Sequence, residues 1–253
     1  MSKISLYGFN NLTKNLSFSL YKLHYLADDK SVTSYNAYIA QKFSADKLNI
    51  LLTKICHAIG GNILNIANQD YKPQGASVTL MISEGEQAHP LPNNLIAHLD
   101  KSHLCIHTYP DDFFQDSPLG NIAIFRADIE LSTCGVISPL KVLNYVIEAF
   151  NADVVDIDYR VRGMTRNANG EMLFTDEKIE QVSHFLSKQL LSNFTVIENN
   201  LPKQNLFHTR LAKSEIQPND YVLNSCKSNL NNDEQRKIKA QIEHELQQLL
   251  TSV

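Results

Sequence analysis

The sequence predicts an α+β fold, a largely antiparallel sheet with helices packed on one face. Two observations predict it. Short runs of alternating apolar and polar residues recur between turn residues, as antiparallel strands do. Two segments carry helical spacing and fall between groups of strands, so the order is helix–strand–strand–strand and then strand–helix–strand. A sheet covered by helices on one face leaves its other face open. The sandwich is therefore expected to be completed by a second copy or by a partner subunit.

Taken in order, residues 3–9 and 16–25 alternate as two strands around an asparagine-rich turn. Residues 45–59 place Leu48, Leu51, Leu52, Ile55, Cys56 and Ile59 on one helical face, and Gly60-Gly61 supplies the stop. Strands follow at 62–67 and 76–82, joined through Asp70, Pro73 and Gly75, and residues 83–94 read as a loop. The stretch 98–110 (HLDKSHLCIHTYP) contains a strand from Ser102 to Tyr109, and 111–120 is a polar loop. Residues 121–131 form a strand that Ser132-Thr133-Cys134-Gly135 breaks. Ser138-Pro139 opens a helix as N-cap and first-turn proline, with Leu140, Leu143, Val146, Ile147 and Phe150 facing a core. Residues 153–163 are a further strand. Beyond Phe174 a polar helix is expected at 175–191, irregular chain with short strands at 192–228, and a last helix at 233–251. Residues 1–173 are read as the core and 174–253 as an extension packed on it.

The chain has 253 residues, a formal net charge of −4, 43% hydrophobic and 20% charged residues. These are the values of a soluble globular protein with a real core. Neither the charge nor any basic run supports binding to nucleic acid or to an anionic membrane surface. No stretch approaches 18 apolar residues, and the first residues lack the apolar run of a signal peptide. The four cysteines stand far apart without a CxxC pair, so neither a zinc knuckle nor a disulfide framework is expected, and the cytoplasm is the simplest compartment.

Residues 98–110 concentrate reactive groups. On a strand, Ser102, Leu104, Ile106 and Thr108 share one face, and His103, Cys105, His107 and Tyr109 the other. Buried imidazole, thiol and hydroxyl groups need partners. Taken singly, Ser102 carries little signal, His98 and His103 read as ordinary polar residues, and Cys105 and Cys56 as small core residues. Cys226 carries none.

Three runs, AHLDKSHLCIHTYP (97–110), FRADIELSTCGVIS (125–138) and QDYKPQGASVT (69–79), resemble the bacterial S-adenosylmethionine decarboxylase proenzymes of the longer, enterobacterial type. LYGFNNLTKNLSFSLY near the start, NILNIA, DYRVRGMTR (158–166) and NLFHT (205–209) fit the same family. The resemblance spans nearly the whole chain and is densest over residues 60–166.

The resemblance implies that the chain cuts itself between Lys101 and Ser102 into a 1–101 chain and a 102–253 chain. Ser102 Oγ attacks the preceding carbonyl to give an ester. A base then removes the serine α-proton, β-elimination frees residues 1–101, and Ser102 is left as a pyruvoyl group. His107 matches the family's processing base, and a neutral imidazole titrates in the right range. Because His107 would face away from Ser102 on a regular strand, a bulge or turn at the cut is expected. The pyruvoyl group then forms a Schiff base with S-adenosylmethionine and takes up the electrons as carbon dioxide leaves. Cys134 matches the family's proton donor, and a thiol near pKa ~8.5 is protonated at neutral pH yet labile. The product would be the aminopropyl donor for spermidine synthesis. Glu130, beside the cysteine turn, is a candidate for the ribose hydroxyls or the sulfonium. The resemblance also implies oligomers of paired chains and stimulation by magnesium, although no carboxylate cluster for a metal is evident. Two other readings stand beside this one. A catalytically inactive relative regulating an active decarboxylase need keep neither Ser102 nor Cys134. A Cys/His hydrolase using Cys134 or Cys105 with His107 lacks an evident orienting partner.

Overall fold

A computed structural model describes residues 11–84, 102–111, 121–134, 137–167, 169–223 and 230–251. The expected strand at 3–9, most of the loop at 83–94, and the calls on His98, Lys101 and Cys226 lie outside these residues.

The elements are β1 (Thr13–Tyr25), α1 (Asp29–Lys42), α2 (Ala45–Ile59), β2 (Gly61–Asp70), β3 (Ala76–Glu84), β4 (Ser102–Pro110) and β5 (Ile122–Cys134). A 3-10 turn at Pro139–Val142 leads into α3 (Leu143–Phe150), then β6 (Val154–Arg162) and the small hairpin β7 (Thr165–Arg166) and β8 (Met172–Leu173). After a further 3-10 turn come α4 (Lys188–Ser192), β9 (Phe194–Leu201), β10 (Leu206–Lys213) and α5 (Asn232–Thr251). Eight strands form one sheet in the order β2-β3-β4-β5-β1-β6-β10-β9, and every neighbouring pair is antiparallel.

Alternation along β1 explains the layering. Leu16, Phe18 and Leu20 are buried on one face against α1, α2 and α3, in a core with Tyr35, Leu48, Leu52, Ile55, Ile147 and Phe150. At roughly 1.5–3 kcal/mol for each large apolar side chain removed from water, this face holds the fold together. The other face stays polar over most of its length. At its far end, α5 covers it with Ile238, Ile242 and Leu246 packed on Leu23, Tyr25 and Val154. The last helix is thus the exception to helices on one face.

Helix α2 has the predicted bounds, and Gly60 closes it in the left-handed conformation at φ 87°. Three expectations are corrected. Helix α1 was not expected: it is polar, and its start rests on Asp28, which accepts from Ser31 N while Ser31 Oγ accepts from Asp28 N. Strand β5 does not break at Ser132 but runs on to Cys134, because its last residues still pair with β1, Thr13 opposite Cys134. The polar helix at 175–191 is absent. A 3-10 turn at Val182–Phe185 and the short α4 stand there, and β9 and β10 are full strands that extend the sheet beyond β6. Ser138 precedes the 3-10 turn, but its side chain makes no capping hydrogen bond.

Candidate active site

Ser102 opens β4 at the end of the sheet where β1 begins and β5 ends. It is 3% exposed. Its hydroxyl oxygen accepts a hydrogen bond from the Cys134 N–H at 3.3 Å and lies 3.4 Å from Cys134 Sγ. Thirty-two residues separate the two in sequence. The β4–β5 ladder brings them together, since His103 pairs with Ser132 and the same register sets Ser102 beside the strand end that carries Cys134. Thr133, next to Cys134 and buried on the covered face, donates to Ile137 O at 3.4 Å. A hydroxyl held by a backbone N–H beside a thiol can attack a neighbouring carbonyl, and the thiol can hand a proton to whatever later occupies the serine position.

His107 is placed elsewhere. β4 pairs with β3 and β5 without a shift from Ser102 to Pro110, so the bulge expected at the cut is absent within the strand. His107 lies on the open face, five residues along, or roughly 16 Å at the usual rise per residue. The fold brings Ser102 to Cys134 and does not bring either to His107. Glu130 is exposed on the open face opposite Cys105. Burial and then the Glu130 charge push the Cys105 thiol above its ordinary range. That keeps Cys105 protonated and makes it a poor nucleophile, which counts against the hydrolase reading.

On the open face beside Cys134, Arg162 donates to Asn15 Oδ1 at 3.0 Å, and Asn15 donates to Ser132 Oγ at 3.3 Å. Lys14, 1% exposed on the covered face, is a feature that sequence reasoning missed; its Nζ reaches Asp176 Oδ2 at 2.5 Å. The signal was available, because Lys14 is in phase with Leu16, Phe18 and Leu20 in a strand whose apolar face it interrupts. Among the described residues no group of three or more histidine, cysteine, aspartate or glutamate side chains could hold a metal ion. A cavity of about 420 Å³ lined by Asn151, Lys213, Asp220 and Tyr221 lies at the opposite end of β1, away from Ser102.

A family profile for S-adenosylmethionine decarboxylase matches residues 34–163. The chain belongs to that family. Within it, the likeness is to bacterial proenzymes. The S-adenosylmethionine decarboxylase proenzyme of Photorhabdus laumondii is 44% identical, covering 98% of this chain and 97% of the relative. Those of Pectobacterium atrosepticum and Yersinia enterocolitica are each 45% identical over the same shares. No helix among the described residues is long and apolar enough to cross a membrane.

Proposed function

We propose that this chain is a self-processing proenzyme that decarboxylates S-adenosylmethionine and yields the aminopropyl donor for spermidine synthesis. The observation that carries the reading is the meeting of Ser102 Oγ with the Cys134 N–H and thiol. Full-length identity of about 44% to chains named as proenzymes supports it. Ser102 Oγ adds to the carbonyl carbon of Lys101, the C–N bond to Ser102 breaks, and an ester replaces the amide. Removal of the Ser102 α-proton expels residues 1–101 as a carboxylate. The residue left at 102 loses ammonia on hydrolysis and ends as pyruvoyl.

The pyruvoyl carbonyl, once formed, supplies an electron sink for the decarboxylation. Its position suits the chain's own groups: it would start β4, buried at the sheet end, with Cys134 Sγ at hand to return a proton to the carbon that lost carbon dioxide. Glu130 is assigned to the substrate's ribose or sulfonium on the open face. His107 is assigned as the processing base on the resemblance, and its place about 16 Å along β4 on the open face requires the chain around residue 102 to rearrange before it cuts.

The cut would not separate the halves. Residues 1–101 supply β1, β2 and β3, and residues 102–253 supply β4, β5, β6, β9 and β10. β1 lies between β5 and β6, and β3 lies beside β4. Three ladders therefore tie the two chains into one sheet. The polar open face is where a second copy would complete a sandwich, and a sedimentation result of single α/β pairs would refute that assembly.

Release of labelled carbon dioxide from carboxyl-labelled S-adenosylmethionine tests the function. The wild-type chain should release it, and Ser102→Ala should neither cut nor release any. Activity in an uncut Ser102→Ala chain would remove the pyruvoyl mechanism.

A further inference from the structure

On the helix-covered face, the rows crossing β4, β5, β1 and β6 are apolar: Leu104, Leu131, Leu16 and Tyr159, then Ile106, Ile129, Phe18 and Ile157. The row that begins at Ser102 breaks this pattern. Continuing the register, it runs Ser102, Thr133, Lys14 and Val161. Its first three members are 3%, 1% and 1% exposed. Two strand spacings put the backbones of Ser102 and Lys14 about 10 Å apart. Asp176, which meets Lys14 Nζ, lies on the segment that follows β6, just past the β7–β8 hairpin. A side chain at Gly163 would meet Asn11 O at 2.3 Å, so the segment starts in close contact with the chain just before β1.

Stability does not explain this pair. A leucine or methionine at position 14 would continue the aliphatic face, and well-packed apolar replacements of a buried ion pair are often as stable or more so. Location explains it better. Lys14 pairs with Thr133, and the residue before it pairs with Cys134. The ion pair thus fixes the strand end that carries the Cys134 N–H.

We propose that the Lys14–Asp176 ion pair is a positioning device for self-cleavage, holding the end of β5 so that the Cys134 N–H stays on Ser102 Oγ. This rests on the processing proposed at Ser102. The N–H orients Oγ and shares the charge that develops on it as its proton leaves. Lys14 forms no bond in the reaction; it acts through β5.

The test uses the full chain, expressed and purified quickly enough to follow cutting, with first-order cleavage rates normalised to folded protein. The apolar double variant Lys14→Met/Asp176→Leu should melt near the wild-type temperature yet cut at least tenfold more slowly. Asp176→Asn should also slow cutting, and Asp176→Glu, which has room at a one-third exposed position, should restore it to within threefold. A merely structural pair would change the melting temperature and leave the rate per folded chain alone. If the double variant does not fold, the Asn and Glu pair decides: equal rates in both, matching wild type, overturn the positioning role. A folded double variant that cuts within twofold of wild type overturns it as well. A wild-type chain that never cuts overturns the processing reading itself, and that failure is visible before any variant is made.

Discussion

Lys14 and Lys22 stand toward opposite ends of β1, both in phase with its buried leucines, and each is buried against an aspartate. At the far end Asp153, fully buried, accepts from Lys22 Nζ at 3.0 Å, from Leu23 N at 2.8 Å and from Tyr221 Oη at 3.2 Å, and pairs with Lys213 at 3.0 Å. Burial pulls the Lys22 pKa down, and Asp153 pulls it back up only in part. At the near end Lys14 meets Asp176, whose side chain is 34% exposed, one strand from the Thr133 hydroxyl and two from that of Ser102. The first arrangement saturates a buried carboxylate and ties β1, β6, β10 and the segment after β10 together. The second sits in the row of Ser102. A buried charge can thus serve as a structural knot or as a fixture for chemistry, and its neighbours tell which.

Variants at the two ends should separate these uses. The largest effect is expected from Cys134→Ala, which should complete its cleavage but release carbon dioxide some 10²–10⁴-fold more slowly, the range of a lost general acid. A variant that failed to cut yet kept turnover once matured would reverse that assignment. Asp153→Ala at the far end should lower unfolding free energy by about 3–5 kcal/mol in urea titrations, since it strands two lysines and a buried phenol. Its cleavage rate per folded chain should not change; a large rate defect would merge the two ends into one device. His107→Ala should slow cleavage about 100-fold with little effect on the melting temperature, as the residue is exposed. An unchanged rate would take His107 out of processing.

The last effect is a pH slope. Burial, with the Lys22 charge next, lowers the His24 pKa from 6.5 to about 3. The ring lies between Tyr35 and Tyr38, with centroids at 5.2 and 5.3 Å. Between pH 6.5 and 3 acid protonates this histidine in the unfolded chain alone. Its stability contribution is therefore complete above 6.5 and falls by about 1.4 kcal/mol per unit below it. His24→Phe should flatten that part of the curve, and an unaltered slope would show that other groups set it.

Much of this was legible because it is local. The spacing of Leu48, Leu52, Ile55 and Ile59 and the glycine that follows define α2 without help from the rest of the chain. The alternation of Ser102 to Tyr109 gave β4 and its faces correctly. Helix α1 was not legible, since its apolar residues are few and its start depends on the reciprocal Asp28–Ser31 cap. The end of β5 depends on a partner: Ser132-Thr133-Cys134 reads as a turn in isolation, and only pairing with β1 keeps it extended. β9 and β10 are polar on alternate positions and become strands by pairing, β10 on β6 and β9 on β10. In the site, Ser102 and Cys134 were marked by their surroundings in sequence, whereas Lys14 and Asp176 are 162 residues apart and meet only in the fold.

Ser102 and Cys134 are proposed to form a site that begins by cutting its own chain. Intact mass measurement under denaturing conditions tests it most directly. Wild-type protein should give two chains, residues 1–101 and 102–253, the larger closed to N-terminal sequencing, while native chromatography returns them as one species because β1 and β3 stay in the shared sheet. A single chain of 253 residues that persists through long incubation would contradict it.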